Sequence, residues 1–277
     1  MVKMGTVWDR TVEVLNGRTG VIAPIAVLGI LLPSVVRDGF VAFSTPGTAM
    51  FALVGGVLTI VALVAMIWAQ LAIVAIATDP ATDAPAARRQ ASARVWPALG
   101  ITVILMIVAL LFVVPPIVVL IQSGFDFTAA ASGSSVQMTP PSAGAAGFVG
   151  LYGLAYMLAY MIAVIWIGAR LVLLNPVVLN ERLGIGAIRR SVRLTKGLTW
   201  RIIGVMILFA IVTLVSTWAA QAVTGILFRL ALGADGIATA TFLSGIAATI
   251  VTTAFTALAA VFTAQLYVAV REKSVTP

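Results

Sequence analysis

Six apolar runs, each long enough to cross a bilayer, dominate this chain: Val21–Phe43, Met50–Ala77, Leu99–Ile121, Phe148–Leu174, Ile202–Leu230 and Ile237–Val270. A crossing needs about 20 apolar residues at a rise of 1.5 Å each. Hydrocarbon offers no partner to a peptide group, so runs of this length are expected to be helices. With 61% hydrophobic and 9% charged residues among 277, the chain also lacks the polar surface of a soluble globule, where about a quarter of residues are charged. The expectation is an all-α polytopic membrane protein, one domain over residues 1–277 with six spans. The last two runs exceed what a span needs, and tilt or emergence into the interface would absorb the excess.

Twenty residues, with Asp9 and Glu13 among them, precede the first run, and no small-residue cleavage pattern follows it. It reads as a retained span rather than a cleaved signal. Basic residues then orient the chain, because they accumulate on the cytoplasmic side. Lys3, Arg10 and Arg18 precede span 1, and Arg88, Arg89 and Arg94 lie between spans 2 and 3. Arg182, Arg189, Arg190, Arg193, Lys196 and Arg201 lie between spans 4 and 5, and Arg271 and Lys273 follow span 6. The other side has Arg37 and Arg229. This asymmetry predicts an inner (cytoplasmic) membrane protein with both termini cytoplasmic. It also accounts for most of the formal +8 charge, so nucleic acid is not an expected partner. On the outer side, Ser123–Gly147 is rich in Gly, Ala, Ser, Thr and Pro and is expected to have little regular structure.

Three polar segments, Val7–Gly20, Asp79–Trp96 and Asn180–Arg201, each lead into an apolar hairpin, which suggests one unit used three times around a pseudo-three-fold axis. In Gly184–Gly197 a turn of 100° per residue puts Arg189, Arg190, Arg193 and Lys196 on one arc and Ile185, Ile188 and Val192 on the opposite one. That is the pattern of a short interfacial helix, apolar side at the acyl boundary and basic side among anionic phospholipid headgroups. A charged connector that only sets topology has the same pattern. The N-terminal segment is a similar case, with Trp8, Val12 and Leu15 on one side and Thr6 and Asp9 spaced as a capping box. Pro85–Trp96 is less amphipathic.

The triplets Ala69-Gln70-Leu71, Ala169-Arg170-Leu171 and Ala264-Gln265-Leu266 each set a long polar side chain in an apolar run near the cytoplasmic exit of an even-numbered span. Intramembrane ionisable groups are expensive unless paired or hydrated. Gln70, Arg170 and Gln265 are therefore a candidate polar site if the repeat brings them together. Alternatively Arg170, about 7 Å along a helix from Asn175-Pro176, snorkels to water.

Catalysis is not expected. The chain has no His and no Cys, which removes imidazole bases, His and thiolate metal ligands and Ser-His-Asp triads together. Its acids are scattered, and Asp79 and Asp83, flanked by Pro80 and Pro85, read as a capped turn. No metal or other cofactor is implied.

The stretch from Arg170 through Asn175-Pro176, Glu181, Ala187–Gly197 and Trp200-Arg201 resembles the membrane-domain-like family named after glycerophosphoryl diester phosphodiesterase. The shared features are a Pro, a Glu and a Ser…Leu-Thr-Lys-Gly…Trp-Arg pattern before a span, within a six-span arrangement. The phosphodiesterase chemistry of that family belongs to a separate soluble barrel with His and acidic ligands. The resemblance therefore implies a stand-alone membrane module. The expected function is non-catalytic, an envelope or anionic-lipid-associated module. The alternative is a small transporter or channel-like protein that binds an anionic substrate near Gln70, Arg170 and Gln265, with Pro24, Pro33, Pro115-Pro116 and Pro176 breaking its spans.

Overall fold

A computed structural model describes residues 3–122, 143–233 and 236–275. The protein is all-α, with no strand among the described residues. Its helices are α1 (Met4–Ala26), a π turn (Val27–Leu31), α2 (Leu32–Phe43), α3 (Ala49–Thr78), α4 (Ala84–Leu111), α5 (Val114–Gln122), α6 (Ala143–Leu171), α7 (Leu174–Asn180), α8 (Gly186–Leu194), α9 (Thr199–Leu232) and α10 (Ile237–Val275). They provide six segments long and apolar enough to span a membrane: Met4–Phe43, Ala49–Thr78, Ala84–Val119, Gly150–Asn180, Thr199–Leu232 and Ile237–Lys273.

The first and third segments are longer than expected because two of the three polar segments do not form separate interfacial helices. Helix α1 starts at Met4 and runs directly into the first span. Lys3 occupies the N-cap without a side-chain bond, so Thr6 and Asp9 lie inside the helix and form no capping box. The alanine-rich middle segment likewise continues as α4, which runs through both Pro97 and Gly100. Asp83 starts α4 by accepting the Ala86 N–H at 2.8 Å. Asp79 closes the preceding turn through the Ala81 N–H at 2.9 Å and the Thr82 hydroxyl at 3.2 Å, as a capped turn should. Only the third segment separates into its own helix, α8. Among the described non-glycine residues, Arg182 alone has positive φ, at 55°, and it turns the chain between α7 and α8.

The prolines act in two ways. Pro24 lies within α1 and Pro33 at the start of α2, and between them the helix widens into the π turn, with the Leu32 N–H bonded to the Val27 carbonyl. A proline has no N–H to donate and its ring crowds the carbonyl four residues back. The widened turn absorbs that disturbance without interrupting the helix. Pro115, Pro116 and Pro176 instead sit in the first turns of α5 and α7, just after breaks at Phe112–Val113 and Val172–Leu173.

Two compact units result, one from Met1–Leu99 with Ala169–Pro277 and one from Gly100–Gly168. In the smaller unit the Tyr156 hydroxyl donates to the Phe112 carbonyl at the α4–α5 break. The larger unit is built on the second half of α3, where every residue from Leu71 to Ala77 is at most 4% exposed. Burial all round a helix requires neighbours on every side, and α1, α7 and α10 supply them. The first half of α3, by contrast, exposes Met50, Leu53, Val57, Ile60 and Val61. Helices α9 and α10 form an antiparallel hairpin that turns at Gly233 (φ 66°) and includes an edge-on Phe209–Phe255 pair at 5.5 Å. Of Ser123–Gly147, residues 123–142 lie outside the described residues, as does Asp235, while Ala143–Gly147 already belongs to α6.

The π turn meets α3 at Gly29, where a Cβ would stand 2.5 Å from the Ala69 Cβ. Gly29→Val should therefore destabilise the larger unit by about 1–3 kcal/mol, the usual cost of overpacking, read as a lower melting temperature in detergent. Gly56→Ala, with open space around its Cβ, is the control that should melt like the parent.

Candidate functional site

Where α3 ends, its last carbonyls have no partners within the helix. The final turn of α3 contains no basic residue of its own. The cation comes from α1: the Arg18 guanidinium donates to the carbonyls of Ile76 at 2.9 Å, Asp79 at 3.3 Å and Thr82 at 3.4 Å, and also to that of Pro80. A positive charge here meets the negative end of the α3 dipole. Gln265 on α10 adds to the same end, its buried amide donating to the Ala77 carbonyl at 2.6 Å.

A second cluster fixes α8. The Arg170 carbonyl at the end of α6 accepts from the Ser191 hydroxyl at 2.9 Å and the Thr195 hydroxyl at 3.3 Å. The Arg170 guanidinium donates to the Val192 carbonyl at 3.3 Å. Glu181, just past α7, pairs with Arg190 at 2.8 Å and accepts from the Tyr267 hydroxyl at 3.2 Å, joining α8 to α10. Arg10 and Glu272 add an exposed pair at 3.3 Å between α1 and α10, a contact of small energetic weight. These bonds gather the N-terminal segment, the α3–α4 turn, α7, α8 and the end of α10 at one end of the larger unit.

Held this way, α8 has three faces. Ala187, Ser191 and Leu194 are buried, and Arg190 turns to Glu181. Ile185 and Val192 are exposed, and beside them so are Arg189, Arg193 and Lys196. Of the four cations predicted to share an outward arc, three are exposed and the fourth ties the helix down. Trp8, Trp96 and Trp200, all exposed, lie one on each of the three polar segments read from the sequence, on α1, α4 and α9.

Gln70, Arg170 and Gln265 each find a different partner. Gln70 accepts from the Asn175 side chain at 2.9 Å, while Arg170 and Gln265 reach backbone carbonyls. Gln265 lies at the level of Ala77, seven residues and about 10 Å along α3 from Gln70. The alanines that precede them, Ala69, Ala169 and Ala264, are all fully buried. Gln70 and Asn175 instead line a cavity of about 220 Å³ with Phe209, Thr213, Thr252 and Thr256, among others. All of its lining residues are uncharged. The buried Thr213 hydroxyl has no hydrogen-bond partner among the described residues.

Sequence reasoning treated Arg18 only as a charge, named Asn175 and Glu181 in the family resemblance without giving either a bonding partner, and passed over Tyr267. One signal was available: α3 ends in Ala77-Thr78-Asp79-Pro80 with neither a C-terminal glycine nor a nearby cation, so its carbonyls needed a distant donor. The chain matches no protein-family model, no curated protein and no solved structure.

Replacing Arg18 with Gln should cost about 2 kcal/mol, the scale of a charged hydrogen bond, and should expose the Asp79–Asp83 turn to proteolysis. Lys, a point charge without the planar fork, should restore only part of it. Glu181→Ala should lower the melting temperature more than Glu272→Ala, because it leaves the partly buried Arg190 unpaired whereas the Arg10 pair is exposed.

Proposed function

We propose that this integral membrane protein is a non-catalytic module of a bacterial-type inner membrane. Both termini and the basic end of its larger unit lie in the cytoplasmic leaflet, where that end associates with anionic phospholipid headgroups. The observation behind this is the seating of α8. Its bonds to Arg170, Glu181 and the buried face leave Arg189, Arg193 and Lys196 exposed next to exposed Ile185 and Val192. Apolar side chains beside cations suit the boundary between acyl chains and headgroups. The non-catalytic part rests on how the polar groups of this end are used. Arg18, Arg170 and Gln265 are engaged with backbone carbonyls, and Glu181 with Arg190 and Tyr267. The likeness of Arg170–Arg201 to the membrane-domain-like family supports the same reading of a stand-alone membrane module.

A second reading, a small transporter, is favoured by one observation, the uncharged polar cavity beside Gln70 and Asn175. Such a lining suits a neutral hydrogen-bonding solute better than an anion, since no cation lines it. Substrate flux into proteoliposomes that Gln70→Leu abolishes would establish transport.

For the lipid reading, each cation near an anionic surface contributes about 1 kcal/mol. Changing Arg189, Arg193 and Lys196 together to Gln should therefore weaken phosphatidylglycerol retention by the detergent-solubilised protein on the order of a hundredfold. Native mass spectrometry across a lipid titration measures this. Phosphatidylcholine retention should change little.

A further inference from the structure

A separate pocket of about 510 Å³ opens at the same end of the larger unit. Arg89 and Arg94 line it from one turn and a half of α4, with Gln90 and Ala93, and Leu179, Asn180 and Arg182 line it from the end of α7 and the turn that follows. Three arginines thus line one volume with no carboxylate in its lining. Like charges repel, and the usual solution on a protein surface is an intervening acid. Here none of the three forms an ion pair among the described residues, in contrast to Arg10, Arg37 and Arg190, which all do.

Two further observations mark the pocket as built. Arg182 occupies the left-handed backbone region, φ 55°, which glycine, asparagine or aspartate would occupy with less strain. The sequence nevertheless has arginine there, and Gly184, two residues on, is left in a position that needs no such freedom. In addition Trp96, two residues beyond Arg94 on α4, is 70% exposed, where an indole marks the headgroup level of a bilayer. The pocket therefore opens near the depth at which phospholipid phosphates lie.

We propose that Arg89, Arg94 and Arg182 form a binding site for a single phosphate group, suited to the phosphodiester of an anionic phospholipid. Planar guanidinium forks match phosphate oxygens in pairs, and three of them from two segments would enclose the group rather than merely attract it. The Gln90 side chain and the Asn180 carbonyl oxygen are placed to meet the hydroxyls of a glycerol headgroup, the Asn180 amide being already engaged with the Pro176 carbonyl at 2.9 Å. This rests on the reading that the basic end faces anionic lipid, but it assigns a saturable site where α8 offers a diffuse surface.

The test uses the full chain in non-ionic detergent, titrated with phosphatidylglycerol, diacylglycerol or glycerol 3-phosphate and read by native mass spectrometry. The variants are Arg89→Gln/Arg94→Gln/Arg182→Gly, in which glycine relaxes the left-handed backbone, and Arg89→Gln alone, an exposed change on α4 that leaves the turn untouched. One phosphatidylglycerol should bind saturably. The triple variant should bind it more than tenfold more weakly and the single variant several-fold more weakly, since each lost guanidinium removes charged hydrogen bonds. Diacylglycerol, which lacks the phosphate, should not occupy the site. Glycerol 3-phosphate that displaces the lipid only at large excess identifies a lipid headgroup site. Displacement at equal affinity identifies a soluble phosphate ester as the ligand of the same three arginines. Saturable binding that both variants keep at parental affinity overturns the assignment. If the α8 variant loses lipid while the pocket variants do not, the surface reading stands and the pocket fails; the reverse pattern keeps the pocket and removes α8.

Discussion

Everything at the basic end depends on satisfying the carbonyls of α3 where that helix stops. From Leu71 to Ala77 the helix is enclosed on all sides, so water cannot be relied on to reach its last turn. An unpaired buried carbonyl is costly in such surroundings. Arg18 resolves this by bringing a charge and several donors from another helix to a single point, and Gln265 adds a neutral donor from a third. Both bonds also fix the neighbouring helices in register. The end of α3 is thus the point through which α1, α10 and the α3–α4 turn are tied to one another.

The arginines of this protein divide by what surrounds them. Arg18 and Arg170 bond backbone carbonyls, and Arg190 is paired with a partly buried acid. Arg189 and Arg193 stand exposed beside apolar side chains, and Arg89, Arg94 and Arg182 line one pocket. Counting basic residues for topology treats all of these as equal. In the folded chain some brace helices and others remain available to an anion, and only the second group can set affinity for a ligand.

That division explains how much was legible beforehand. Apolar runs announce spanning helices because length and hydropathy suffice, and each of the six expected runs overlaps one observed spanning segment, two of them across the breaks at Phe112–Val113 and Val172–Leu173. The basic and apolar arcs of α8 were also readable, but the 100° turn per residue sets them side by side and not opposite, which is why Ile185 and Val192 are exposed along with Arg189, Arg193 and Lys196. What the periodicity of one segment cannot show is a partner at long sequence separation. The Arg18 carbonyls lie 58 to 64 residues away, and Tyr267 lies 86 residues from Glu181. The same blindness let Arg190 be grouped with its outward neighbours. The likeness among Val7–Gly20, Asp79–Trp96 and Asn180–Arg201 was compositional, and composition did not reveal that only the third breaks away from its span. Gln70, Arg170 and Gln265 looked equivalent for a similar reason, while packing gave each its own partner.

The π turn between Pro24 and Pro33 introduces a phase difference into the first span. Its bonding step uses one residue more than an α-helix does, and each residue advances the helix by 100°. The direction in which α1 presents Arg18 and the direction in which α2 presents its own side chains are therefore offset by about that angle from what an unbroken helix would give. In evolutionary terms the two halves of this span are not freely exchangeable with those of a regular helix. Imposing regular α bonding between Val27 and Leu31 with the residue count unchanged would rotate one half against the other and pull the guanidinium out of line with the carbonyls it serves, whereas a single-residue deletion there would restore regular bonding and keep the two halves in phase.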